Sequence, residues 1–68
     1  MDRIADTIKQ LENMNYIVSR DEDVICVALK TSKGYMAMYH TSVGEVLLNQ
    51  NIVTCVVNQI NEVIIKNL

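Results

Sequence analysis

The chain has 68 residues, 50% of them hydrophobic, and a formal net charge of −2. One domain of this size lies near the lower limit for a stable hydrophobic core, and its apolar content excludes intrinsic disorder. The slight acidic excess provides no basic surface for a nucleic acid or an anionic membrane, so we expect neither as a partner. Charges in the N-terminal stretch exclude a signal peptide, and no apolar run reaches the ~18 residues of a membrane span. We therefore expect a cytoplasmic protein.

Residues 2–13 predict a first helix. Asp2 can cap it by accepting a hydrogen bond from the backbone. The end of the helix is indicated by Asn15, since asparagine tolerates the left-handed conformation in which helices often end. Apolar positions repeat at helical spacing and form one face: Ile4, Ile8 and Leu11.

Three β-strands are predicted next, over residues 16–19, 24–29 and 35–40. The second strand is an unbroken apolar run, which is typical of a central strand covered on both faces. Polar turns separate the strands, at residues 20–23 and 31–34. This pattern predicts an antiparallel meander with the second strand in the middle.

The third strand has two different faces, because side chains alternate along a strand. One face carries Met36, Met38 and His40, and the other carries Tyr35, Ala37 and Tyr39. We expect the methionine face to pack on the helices, since methionine fills irregular gaps well. The tyrosines would then form a strip on the open face of the sheet.

The C-terminal segment predicts a broken helix. Ser42 and Glu45 fit a capping box, and from Ile52 onward the apolar residues form one band around a helix. Polar residues interrupt that band near Asn49–Asn51, where we expect the break. A strand over residues 52–57 is the alternative, because that run is rich in β-branched residues. The predicted fold is a single α+β domain over residues 1–68, in the order αβββα, with the helices on one face.

No pattern in the sequence predicts a catalytic, cofactor-binding or metal site. His40 is the only histidine, and the neighbouring Ser42 is better explained as a helix cap than as a nucleophile. The acidic turn lacks the spacing of a calcium loop. Cys26 and Cys55 are too far apart in sequence for a Cys-x-x-Cys pair, and we interpret them as buried, reduced thiols; a disulfide would require an oxidising compartment.

The sequence instead favours a protein-binding function. Tyrosine combines a large apolar area with a polar tip and is enriched at interfaces, although these tyrosines could also simply cover the sheet of the monomer. The predicted contact residues are Tyr16, Tyr35 and Tyr39, with Asp21, Glu22 and Asp23 at the rim. Apolar residues outside the main helical band, namely Leu47, Leu48 and Ile65, indicate more apolar surface than one chain can bury, and hence a homodimer.

We therefore predict a small non-catalytic binding or regulatory protein. A natural version is an inhibitor or adaptor of the kind that phages and mobile elements encode, occupying a surface of a larger host or defence protein. The alternatives are a nucleic-acid-binding module and a structural subunit of a larger assembly.

Overall fold

The structure, a computed structural model, describes residues 2–68 and confirms the α+β class and the order αβββα. The elements in chain order are α1 (Arg3–Asn13), β1 (Ile17–Asp21), β2 (Val24–Lys30), β3 (Met36–Ser42), α2 (Val43–Leu48) and α3 (Ile52–Lys66). The three strands form one antiparallel sheet in the order β1-β2-β3, as predicted. The helices cover one face of this sheet, and the core lies between the two layers.

The first helix begins and ends as its sequence predicts. The Asp2 carboxylate accepts hydrogen bonds from the amides of Ile4 and Ala5, at 3.0 and 3.2 Å. At the other end Asn15 has a φ of 71°, and the amide of Tyr16 donates to the carbonyl of Leu11 at 3.1 Å. This left-handed exit satisfies a carbonyl of the last turn and directs the chain into the sheet.

The C-terminal segment is broken where its polar residues predict. The Ser42 hydroxyl accepts a hydrogen bond from the amide of Glu45 and starts α2. The short α2 ends at Leu48, and α3 starts at Ile52. The alternative of a strand over residues 52–57 is wrong, because that stretch is the beginning of α3. Burial of its apolar face against the sheet outweighs the β-propensity of its side chains.

Arg3 joins the start of α1 to the end of α2. Its guanidinium donates to the carbonyl of Val46 at 2.9 Å and to the carbonyl of Asn49 at 3.0 Å. The last turn of α2 contains no basic residue of its own, so a cation from α1 supplies its C-terminal cap.

Both faces of β3 are opposite to the prediction. Ala37 is fully buried, and Tyr35 and Tyr39 pack against the core, whereas the methionines are exposed. Tyr16 precedes β1 and is buried, with 8% of its surface exposed. The expected tyrosine strip on the open face is therefore wrong. Ala37 lies on the side of the sheet that the helices cover, and Tyr35 and Tyr39 on either side of it pack against the same core.

Candidate functional site

The outer face of the sheet has no helix over it. Along each strand every second residue points to this face, and the register aligns these residues into rows across the sheet. One row is Ile17, Ala28 and Met38; the next is Ser19, Cys26 and His40; the third is Asp21, Val24 and Ser42; and Lys30 pairs with Met36 at the far end. We call this surface the open face.

The open face carries exposed apolar side chains in three of its four rows, with Lys30 at one end, Asp21 at the other, and Ser19 and His40 in a row between them. Four large apolar side chains are exposed on it, Ile17 at 58%, Val24 and Met38 at 48% and Met36 at 41%. Ala28 and Cys26 lie lower between them, Ala28 at 6% exposure. Single exposed apolar residues are ordinary, but a group of this kind on one flat face indicates a contact surface.

The hydrogen-bond pattern of the ladder brings the side chains of β2 and β3 close together. The amide of Val43 donates to the carbonyl of Asp23 at 2.9 Å, which makes Val24 and Ser42 a non-hydrogen-bonded pair. Such pairs recur at every second residue, so Cys26 and His40 form one too. The Cα atoms of these pairs are about 4.5 Å apart, closer than in the alternate pairs.

The predicted contact residues do not come together into one surface. Tyr16 lies in the core, and Tyr35 and Tyr39 are half-buried on the inner side of the sheet. The acidic residues are exposed at the hairpin between β1 and β2, where Glu22 and Asp23 form a two-residue turn. Only Asp21 reaches the open face, at one of its ends.

The sequence interpretation missed the methionines as surface residues, although a signal was present. The sequence places His40 on the methionine face, and the register adds Lys30 and Asp21 to that face. A face that carries an acid, a base and an imidazole is costly to bury, whereas the register places one charged residue, Arg20, on the tyrosine face, where it stays exposed on the edge strand β1. The charges on the aligned strands therefore indicate which face of the sheet stays open.

A shallow polar groove of about 250 Å³ lies between α1 and the start of α3. Charged and amide side chains line it, among them Arg3, Asp6 and Gln10. The Asp6 carboxylate accepts a hydrogen bond from the Gln10 amide at 3.0 Å, and Arg3 is committed to the carbonyls of α2. The groove is mixed in charge, and the side chains of Arg3, Asp6 and Gln10 are engaged with one another or with the backbone.

Both cysteines are free and half-buried, Cys26 on the open face and Cys55 on α3. Within residues 2–68 no three side chains from histidine, cysteine, aspartate and glutamate are grouped so as to hold a metal ion. None of the helices in that range is long and apolar enough to cross a membrane.

Comparison with known proteins identifies no relative: no family model, no curated protein and no solved structure matches the chain.

Proposed function

We propose that this chain is a small non-catalytic regulatory protein that acts through protein–protein contact at the open face. The observation that supports the proposal is the exposure of Ile17, Val24, Met36 and Met38 on one uncovered sheet surface. Methionine is well suited to such a surface, because its flexible thioether adapts to the shape of a partner. Burial of these side chains would supply stability that a domain of 68 residues otherwise lacks.

A second copy of the chain is the partner that best fits the charges of the open face. Lys30 pairs with Met36 at one end of the face, and Asp21 pairs with Val24 at the other. Two open faces can stack about a two-fold axis that lies between them. If that axis runs across the strands, it brings the Lys30 end of one copy onto the Asp21 end of the other. An axis parallel to the strands would instead place Lys30 over its own counterpart, which is repulsive.

The size of the open face predicts weak self-association. Three strands of up to seven residues give a flat area of about 340 Å² per copy. Standard stable interfaces bury about 800 Å² per partner, so the dimer would be transient. A transient dimer leaves the same face available to a larger protein, as expected of a cytoplasmic inhibitor or adaptor of the type encoded by phages and mobile elements.

A nucleic acid is a poorer occupant of the open face. Lys30 is offset by Asp21, and a single lysine cannot replace the counterions along a phosphate backbone. Binding to a nucleic acid would be expected only with a stripe of basic residues, and the net charge of −2 offers none.

The test compares two exposed apolar residues, one on the open face and one elsewhere. Ile17→Glu places a carboxylate in the apolar middle row, and Leu48→Glu makes the same kind of change on α2, where Leu48 is 86% exposed. Light scattering over a concentration series should show the wild-type mass rising from 7.7 kDa toward twice that value. Leu48→Glu should behave as the wild type does, and Ile17→Glu should remain monomeric with an unchanged circular dichroism spectrum.

Two results would refute the proposal. One is a wild-type chain that stays monomeric at every concentration. The other is self-association that Leu48→Glu abolishes and Ile17→Glu does not, which would move the contact from the sheet to the helical layer.

A further inference from the structure

The open face brings three side chains with soft or borderline metal-binding atoms into neighbouring positions. Cys26 lies directly opposite His40, and Met38 is two residues before His40 on the same face of β3. Because Cys26 and His40 are a non-hydrogen-bonded pair, their side chains leave the sheet close together and nearly side by side. Diagonal neighbours such as Cys26 and Met38 are about 7–8 Å apart at the backbone, within reach of a long side chain.

The surroundings of these side chains leave room for an ion. Met38 pairs with Ala28, whose short side chain allows the thioether to lie over it toward Cys26. His40 and Met38 are exposed and Cys26 is half-buried, so all three are accessible from the solvent side of the sheet. The side-chain hydrogen bonds that hold the helical layer and the second turn come from Arg3 and Thr31, not from Cys26 or His40.

We propose that Cys26, His40 and Met38 form a binding site for a soft monovalent cation, Cu(I), on the open face. A thiolate, an imidazole and a thioether are donors that suit Cu(I), whereas Zn²⁺ is ordinarily bound by cysteine, histidine and carboxylate side chains and not by a thioether. Binding replaces the thiol proton of Cys26 with the metal and releases that proton to solvent, so no oxidant or reductant takes part. The site goes beyond the proposed protein contact but shares the open face with it, so the affinity for Cu(I) is measured at concentrations at which the chain is monomeric.

The two cysteines provide a matched pair of variants. An anaerobic titration with Cu(I), measured by competition with a coloured Cu(I) chelator, should show one tightly bound ion per chain. Cys26→Ser should weaken binding by roughly a hundredfold or more, and His40→Gln and Met38→Leu by roughly tenfold each, since each removes one donor. Cys55→Ser, which removes the other free thiol, should leave the affinity unchanged.

Folding and self-association are controlled separately. Met38→Leu removes the sulfur and retains the apolar volume, so its circular dichroism spectrum should match that of the wild type. Ile17→Glu, designed to be monomeric, should bind Cu(I) as well as the wild type does. A failure of the protein contact therefore shows in the solution mass, and a failure of the metal site shows in the chelator competition.

Three results would overturn the site. Equal losses in Cys26→Ser and Cys55→Ser would mean that any thiol binds the ion. Wild-type affinity in both His40→Gln and Met38→Leu would mean that the thiol acts alone. Preference for Zn²⁺ over Cu(I) would contradict the choice of donors.

Discussion

Among residues 2–68, three residues adopt positive φ angles, and the sequence indicates them unequally. Asn15 at 71° and Gly34 at 91° are residue types that tolerate this conformation, so the ends of α1 and of the second turn could be predicted. Glu22 at 53° could not be predicted, because glutamate has no preference for it. The two-residue turn forces the angle on Glu22, and the guanidinium of Arg20 accommodates it by donating to the Glu22 carbonyl at 3.0 Å.

The two glycines should respond in opposite ways to alanine substitution. A Cβ atom at Gly34 would meet nothing within 4 Å, so Gly34→Ala should cost about 1 kcal/mol through its φ of 91° alone. Gly44 lies within α2, and a Cβ atom there would meet the Ser42 hydroxyl at an ordinary 3.8 Å. Gly44→Ala should therefore stabilise the fold by about 0.5–1 kcal/mol.

Urea denaturation of the two glycine variants measures both free energies of unfolding. Destabilisation by both substitutions would show that Gly44 also needs conformational freedom, and a neutral Gly34→Ala would show that the turn can relax.

At the scale of elements, the sequence predicts the number, order and approximate limits of the helices and strands, but not the orientation of β3. Alternation places Ala37 and Met38 on opposite faces and does not say which face is inward. What decides the orientation is non-local. The tyrosine face avoids burying Lys30 and His40, and Ala37 lies where the helices approach the sheet. The ability of methionine to fill gaps reflects neither the charges on its face of the sheet nor the burial of Ala37.

A pair of valine substitutions tests the orientation of β3. Ala37→Val adds two methyl groups at a site with 0% exposure and should cost about 1–3 kcal/mol by overpacking. Met38→Val places a β-branched residue at an exposed strand position on the open face and should change the free energy of unfolding by no more than about 0.5 kcal/mol. Thermal unfolding of both variants provides the comparison. The reverse ranking would mean that the methionine face is the buried one.

At the scale of the whole molecule, the sequence correctly indicated an excess of apolar surface but assigned part of it to the wrong residues. Leu47, Leu48 and Ile65 are exposed, as their positions outside the helical band predicted. On the sheet, the exposed residues are methionine, isoleucine and valine, and the tyrosines cover the core from inside. The prediction placed the tyrosines of β3 on the open face and its methionines inside. Turning a strand over exchanges all its side chains between the two faces, so one wrong choice misplaced the whole strand.

The proposed contact also depends on how the charges are distributed over the open face. Asp21 and Lys30 lie at its opposite ends, paired with Val24 and Met36, and Ile17 and Met38 lie between them. When two copies stack face to face with their strands antiparallel, the Lys30 end of each meets the Asp21 end of the other. When the strands are parallel, like charges meet, so that orientation is not complementary. The sequence lists the same residues, but only the register shows that they share a surface.

The most direct test is to record the amide chemical shifts of the protein over a concentration series. We expect the shifts that move with concentration to belong to the open face, namely to Ile17, Cys26, Ala28 and Met38, while those around Leu48 and Ile65 stay constant. Changes confined to α2 and the end of α3, or no change at any concentration, would contradict the claim that the open face of the sheet is the contact surface.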